Sequence, residues 1–129
     1  MREVRLKEPV ELKLPAEQSM MLVLRLTTAG VVTRAGLTVD RMDDVKMAVE
    51  EACNCLIGGG DIHRLCLRFE EEQDFLRIRI CCDGECTGAA NPDEMGVVRC
   101  ILESLVDGVD MCMRGDAIGA VELRVALGM

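Results

Sequence analysis

Aromatic residues are almost absent from this sequence: it has no tryptophan and no tyrosine, and only two of its 129 residues are phenylalanine. Positive charge is also in the minority, because 15 lysines and arginines stand against 23 aspartates and glutamates, which gives a net charge of −8. Proteins that bind DNA or RNA need basic side chains for the phosphates and commonly stack aromatic rings on the bases. We therefore predict no nucleic-acid partner and expect a protein partner instead.

Long apolar runs are missing as well. No uninterrupted apolar stretch approaches the roughly 20 residues that a membrane-spanning helix needs, and the N-terminus lacks the basic region followed by an apolar one that a signal peptide has. We expect a cytoplasmic protein that makes no membrane contact. A length of 129 residues is close to the most common domain size, and no repeat or low-complexity segment divides the chain. Residues 1–129 are therefore expected to form a single domain.

Cysteine, by contrast, is abundant, with eight residues. Most of them stand within apolar periodic segments of a chain that is large enough to fold without disulfides, so we expect mainly buried thiols. Cys53 and Cys55 share one predicted helix, and Cys81, Cys82 and Cys86 cluster at a predicted strand end. Residues two apart on a helix, and successive residues on a strand, point in different directions, which disfavours a metal site or a redox pair at these positions.

The spacing of the apolar residues alternates along the chain between the periods of strands and of helices. It predicts a strand at 10–14 after a further short strand at Val4 and Leu6, helices at 17–35 and 40–58, a hairpin with strands at 65–69 and 76–82, a helix at 98–105, and strands at 109–113 and 121–127. Gly36 is expected to end the first helix, Asp40 to cap the second, and residues 70–74 to form the hairpin turn. Arginines alternate with the apolar residues of the hairpin, so helices should cover only one face of the sheet. The fold class predicted is a two-layer α/β sandwich.

The predicted second helix carries two adjacent glutamates and an asparagine. Its apolar residues recur at helical spacing and form one buried stripe, which consists of Val45, Ala48, Val49, Ala52 and Leu56. Glu50, Glu51 and Asn54 then lie on or near the opposite face, with Glu50 and Asn54 one turn apart. Considered without further context, two glutamates on such a face are usually a solvated surface.

This helix resembles the second helix of the anti-sigma factor and serine-protein kinase branch of the Bergerat-type (GHKL) ATPases, which carries a catalytic glutamate and, four residues later, a magnesium-binding asparagine. Residues 10–17, 23–37 and 96–109 are similar to the family's opening strand, its first helix, and its last nucleotide-site helix with the strand that follows. The likeness covers nearly the whole chain. It implies the Bergerat-type fold, a mixed sheet with three helices on one face.

The resemblance also implies a function. A member of this branch is an anti-sigma regulatory factor that binds a sigma factor or an anti-anti-sigma protein, and that phosphorylates a serine of the latter with ATP and magnesium, commonly as a homodimer. The alternative is a nucleotide-independent scaffold descended from the family, which keeps only the surface that binds a protein partner.

Matching the family's helix to this one makes Glu51 the catalytic base and puts Cys55 in the position of the metal-binding asparagine. Because a neutral thiol is a poor magnesium ligand, Asn54, one position earlier, is the candidate for contact with the metal and the nucleotide. The alternative register takes Glu50 with Asn54, which restores the spacing of four but shifts the hydrophobic match by one residue. We favour Glu51, because the buried stripe determines how the helix is rotated.

The family's second motif is an aspartate after the central strand, which binds the adenine amino group, with a glycine two residues later. Asp83 stands at this place, but Glu85 occupies the position of the glycine. Gly84 and Gly88 are the candidates for restoring the lost backbone freedom beside the nucleotide. An ordinary turn is the plainer interpretation of Asp83 and Gly84.

The lid that closes on the phosphates in ATP-hydrolysing relatives is reduced to residues 89–94. Of its final glycine motif only Gly96 remains, since Val98 stands where a second glycine would lie. Backbone amides at the start of the third helix attract anions, whereas Asp93 and Glu94 repel them. The departures from the family pattern are thus Cys55, Glu85 and Val98.

Overall fold

The helices and strands follow the predicted order in the computed structural model, which describes residues 4–58, 61–85, 92–115 and 117–127. The elements are β1 (Val10–Pro15), a 3₁₀ turn (Gln18–Met20), α1 (Met21–Arg34), α2 (Val39–Gly58), β2 (Asp61–Glu72), β3 (Phe75–Glu85), α3 (Pro92–Leu105), β4 (Gly108–Arg114) and β5 (Ala117–Ala126).

The five strands form one sheet in the order β1-β2-β3-β5-β4, and all four pairings in the described sheet are antiparallel. The expectation of a mixed sheet is therefore wrong. The chain passes from β3 through α3 to β4, so that β3 and β4 run in the same direction, but β5 lies between them. No parallel strands become neighbours as a result.

The core lies between the sheet and the three helices. Side chains alternate along the strands, and the inward set is buried, with Leu65, Phe69 and Ile78 among its members. Helix α2 lies centrally, because it contacts both other helices as well as β2, β3 and β5. The predicted stripe of α2 is buried, with Val45 and Val49 fully inaccessible to solvent. The predicted two-layer sandwich is confirmed.

The opposite face of the sheet, which we call the helix-free face, is solvated as predicted. Charged residues of both signs stand next to one another across the strands, and Arg68 also stands opposite Arg79. Arg68 pairs with Glu11, and both Arg77 and Arg79 pair with Glu122, at 3.2 and 3.4 Å. Such exposed pairs contribute little to stability, but they keep this face polar.

The ends of the first two helices show one prediction confirmed and one corrected. Gly36 ends α1 with a φ of 92°, and the N–H of Leu37 donates to the carbonyl of Val32 at 3.1 Å. Thr38, rather than Asp40, caps α2, because its Oγ1 accepts the N–H of Arg41 at 3.3 Å. Asp40 lies within the first turn, where its charge still favours the helix.

The hairpin strands are longer than predicted. The turn consists only of Gln73 and Asp74, since Glu72 and Phe75 already pair, and Gln73 has a φ of 45°. The short strand predicted at Val4 and Leu6 is not formed. Instead, the N–H groups of Arg5 and Leu6 donate to the Glu71 carboxylate, which attaches this segment to β2 by a side chain.

The expectation of mainly buried thiols is wrong. Of the seven cysteines in the described residues, only Cys53 and Cys82 are buried, while Cys100 and Cys112 are exposed. The others are half-buried, because α2 and the solvated face of the sheet place them at the surface of the core rather than inside it.

Candidate functional site

The side chains of Glu50 and Glu51 point in different directions from α2. Glu50 accepts two hydrogen bonds from the guanidinium of Arg25 on α1, one of them from Nε at 3.0 Å. The hydrogen bond from Arg25 holds the pKa of the Glu50 carboxyl below its ordinary value, against the opposing effect of burial. Glu50 is therefore engaged in the contact between α1 and α2.

Asn54 lies one turn after Glu50 and is held on the same side of the helix. Its Oδ1 accepts a hydrogen bond from Nε2 of Gln18, in the 3₁₀ turn, at 2.9 Å. The two residues of the alternative register, Glu50 and Asn54, thus both make their contacts with the segment at residues 18–25 rather than with α3.

Glu51 and Cys55 face the start of α3. Burial raises the pKa of the half-buried Cys55 thiol, and the negative charges of Glu51 and then Glu94 raise it further. The Cys55 thiol is thus within electrostatic reach of two carboxylates, Glu51 on the same helix and Glu94 in the first turn of α3. Glu51 and Cys55 are the positions that the favoured register gives to the base and to the metal ligand.

This set of side chains does not fit a magnesium site. Mg²⁺ prefers oxygen ligands in a regular octahedron, whereas the raised pKa of Cys55 keeps its sulfur protonated and neutral. Within the described ranges, no group of three or more histidine, cysteine, aspartate or glutamate side chains is arranged to hold a metal ion.

Helix α3 begins earlier than predicted, because Pro92, Asp93 and Glu94 form its first turn and are not part of a lid. Negative charge there stabilises the helix but opposes a phosphate. Gly96 is exposed, and a Cβ at this position would meet no atom within 4 Å, so the folded chain itself does not require glycine. Val98 is half-buried and packs against the core.

Asp83 and Gly84 lie within β3 rather than after it. The alternation of side chains along the strand places Asp83 on the helix-free face, where it is exposed and opposite Arg64 of β2. The structure therefore does not bring Asp83 to Glu51. Gly88 and Cys86 lie outside the described residues.

Two residues that sequence reasoning missed are Arg25 and Gln18, which hold Glu50 and Asn54. Arg25 could have been found, because it interrupts the otherwise apolar first part of α1. Gln18 gives no such signal, because a glutamine in a polar turn does not interrupt any periodic pattern of apolar residues.

The fold of the described residues, with five strands, three helices on one face and α2 at the centre, is the Bergerat-type α/β sandwich. It superposes on the crystal structure of the RsbU and RsbW domains of Rv1364c from Mycobacterium tuberculosis with a TM-score of 0.72 and 13% sequence identity, over 94% of this chain and 33% of that chain. Among the described residues, no helix is long and apolar enough to cross a membrane.

Within this class the sequence is similar to serine-protein kinases named RsbW. The protein from Bacillus mycoides (strain KBAB4) is 34% identical over 80 residues, which cover 60% of this chain and 50% of the relative, and that from Bacillus cereus (strain AH187) is 32% identical over the same length. The chain spans about half the length of the curated relatives it matches. No protein-family model matches the chain. The resemblance to the anti-sigma and serine-kinase branch is confirmed.

Proposed function

We propose that this domain is an anti-sigma regulatory factor, related to the serine-protein kinases, that binds a sigma factor or an anti-anti-sigma protein. The observation that carries the proposal is the similarity over 80 residues to serine-protein kinases, together with a shared fold over 94% of the chain. A homodimer, which the resemblance implies, stays a prediction, and the mass of the protein in solution would test it.

Glu51 is the residue that we propose as the base for a partner's serine. It faces the start of α3, and it forms no ion pair within the described part of the chain, whereas Glu50 is held by Arg25. A carboxylate without a cationic partner remains available to accept a proton. The nucleotide contacts proposed for the remaining site residues stay predictions: Asn54, Asp83, Gly84, Gly88 and Gly96.

A second candidate function is a protein-binding scaffold that works without nucleotide. The position of Cys55 between Glu51 and Glu94 favours it, because a neutral thiol beside two carboxylates neither holds magnesium nor attracts phosphate. The exposure of Asp83 on the helix-free face is a further point in its favour, since an adenine between the layers would not reach it.

The experiment that separates the two candidates is calorimetric titration with ADP and with a non-hydrolysable ATP analogue, each with and without magnesium. Binding tighter than about 100 μM, roughly 5.5 kcal/mol, that depends on magnesium supports use of nucleotide. Cys55→Asn restores the family's residue and should then tighten the magnesium-dependent binding, while Glu50→Gln serves as the control on the same helix. Absence of binding in every case supports the scaffold.

The proposed partner class is tested separately. Purified sigma factors and anti-anti-sigma proteins from the same genome are titrated against the chain, with and without ATP. Saturable binding to one of them supports the proposal, and phosphate transfer to a serine that Glu51→Gln abolishes supports the kinase. Failure of every sigma factor and anti-anti-sigma protein to bind would overturn the proposal, whatever the result with nucleotide.

A further inference from the structure

Three cysteines stand in one row across the helix-free face of the sheet. Cys66 on β2 pairs with Cys81 on β3, Cys81 pairs with Ala120 on β5, and Ala120 pairs with Cys112 on β4. All three cysteines are at least partly accessible to solvent. The row lies outside the site between α2 and α3, and the proposed function makes no use of it.

Cys66 and Cys81 are directly opposite one another on adjacent antiparallel strands. The register is unbroken from this pair to Glu72 and Phe75, which flank the two-residue turn and so form a hydrogen-bonded pair. Hydrogen-bonded and non-hydrogen-bonded pairs alternate along an antiparallel ladder. Because Cys66 and Cys81 lie six positions from Glu72 and Phe75, they are again a hydrogen-bonded pair, with Cα atoms about 5.5 Å apart. Disulfides span Cα separations of about 4.4–6.8 Å, so this pair is within bridging distance.

Cys112 cannot replace either partner. Two strand spacings separate it from Cys81, which amounts to about 10 Å, and a disulfide cannot form beyond about 7 Å without movement of the backbone. Of the three cysteines, only Cys66 and Cys81 are therefore close enough to be joined, and Cys112 is a thiol on the same face that lies too far from Cys81 to form a disulfide with it.

The surroundings of the pair are open and carry more basic than acidic side chains. Cys66 and Cys81 line a surface cavity of about 360 Å³ together with Lys13, Arg68, Arg79 and one acidic residue, Glu11, which pairs with Arg68. The sulfur of Cys81 raises the pKa of the Arg79 guanidinium, with a smaller effect from Cys112, while burial acts in the opposite direction. Arg79 donates to Glu122 at 3.4 Å and is also close to the Cys81 thiol, and a guanidinium is a strong donor to the thiolate that must form before the thiol reacts.

We propose that Cys66 and Cys81 form a reversible oxidation site, which closes to a cross-strand disulfide when it meets a peroxide. The Cys81 thiolate attacks one oxygen of hydrogen peroxide, the O–O bond breaks, and the departing hydroxide takes a proton to become water. Cys81 is then a sulfenic acid. Cys66 gives up its thiol proton and attacks the Cys81 sulfur, the S–S bond forms, and the S–O bond breaks with release of a second water. Two thiols lose two electrons in total, and the peroxide gains them.

The pair should also be reducible. The Cβ atoms of a hydrogen-bonded pair are farther apart than those of a relaxed disulfide, so closure pulls the two strands together, and a distorted disulfide is reduced more easily. Reversible disulfides of this kind are the form in which redox-sensing cysteines work in reducing surroundings.

The test uses the full chain, fully reduced and then treated with a single equivalent of hydrogen peroxide. Mass spectrometry of the non-reduced digest should find the peptide of Cys66 linked to that of Cys81, and a dithiol reductant should restore both thiols. Cys112→Ser is the matched control and should leave the link intact. A digest in which the thiols are oxidised without this link, or in which Cys81 is joined to any other cysteine, would overturn the proposal.

Four further variants test the roles given to the residues. Cys66→Ala should leave Cys81 as a sulfenic acid that a 1,3-dione reagent traps, and Cys81→Ala should give no trapped product at Cys66. Arg79→Gln should slow formation of the link several-fold, and Arg79→Lys should recover part of the rate because it returns the positive charge. Circular dichroism of each variant checks that the fold is kept, which is expected because Cys66 and Cys81 are half-buried and Arg79 is exposed. Equal rates in all the Arg79 variants would remove Arg79 from the site.

Discussion

Arg25 on α1 and Glu50 on α2 are joined at two points, since Nε of the guanidinium donates to Oε2 at 3.0 Å and Nη2 donates to Oε1. The contact crosses from one helix to the next. It also makes two adjacent glutamates different, because Glu50 has a cationic partner in Arg25, whereas Glu51 faces α3.

Glu50→Gln should lower the free energy of unfolding at neutral pH by up to about 1 kcal/mol, a small amount because Arg25 is half exposed. The lowered pKa of Glu50 means that its contribution is complete above the ordinary value of 4.5 and is lost as the pH falls through the lowered value. Urea unfolding should therefore give different stabilities for wild type and variant at neutral pH and equal ones in acid. Glu51→Gln, which removes one charge from the same helix without breaking the contact with Arg25, is the control.

The thiols should differ sharply in reactivity. Burial, with a smaller effect from the charge of Glu50, raises the pKa of Cys53 to about 12. Iodoacetamide at mildly alkaline pH should label the exposed Cys100 and Cys112 of the native protein and reach Cys53 only after unfolding. Mass spectrometry of the labelled peptides measures this. Rapid labelling of Cys53 in the folded protein would contradict the burial described.

The same thiol should affect stability at high pH. Between the ordinary thiol pKa of 9.0 and about 12, folded Cys53 keeps a proton that the unfolded chain releases. Stability contributed by the neutral thiol is therefore complete below pH 9.0 and falls as the pH rises. Cys53→Ala should flatten this alkaline loss in urea unfolding, even though it creates a small cavity. Cys100→Ala should leave the slope unchanged.

Two glycines of the first helical segment should respond in opposite directions to alanine. Gly36 has a φ of 92°, and a Cβ there would lie 2.5 Å from Nη1 of Arg5, so Gly36→Ala should lower the free energy of unfolding by about 1–2 kcal/mol. Gly30 lies inside α1 with no atom near its Cβ position, so Gly30→Ala should raise it by up to about 1 kcal/mol. Thermal unfolding of both variants decides this. Changes of the same sign would contradict it.

The two phenylalanines provide another matched pair. Phe69 is fully buried beneath the helices, and its replacement by alanine should cost about 3–5 kcal/mol. Phe75 is 43% exposed beside the hairpin turn, and Phe75→Ala should cost at most about 1 kcal/mol. Denaturant unfolding measures both. Similar losses for the two would mean that the sheet does not bury its inward face as described.

Much of the fold could be predicted because the buried residues repeat locally. Leu65, Phe69 and Ile78 mark the hairpin by alternation, and Val45 and Val49 mark α2 by helical spacing. The direction of neighbouring strands could not be predicted in this way. It depends on the insertion of β5 between β3 and β4, which is a long-range pairing that no local period encodes.

The candidate site could be predicted only in part, for a related reason. The buried stripe of α2 indicates that Glu51 and Cys55 share a face, but the partner of each side chain belongs to another element, such as Arg25 for Glu50 and Glu94 for Cys55. The pairing of Cys66 with Cys81 follows once the turn is known to be Gln73 and Asp74. With the turn placed at 70–74, the two cysteines would not be opposite one another.

The position of β5 in the sheet has a consequence for the order of events during synthesis. β5 is translated after the other four strands, so a nascent chain that stops before Ala117 leaves β4 without any partner strand and β3 unpaired along one edge. Unpaired edges associate readily with other chains, and contacts between distant segments form slowly. These two edges therefore stay open until Ala117 to Ala126 have paired, and the return of β5 between β3 and β4 closes both of them in one step.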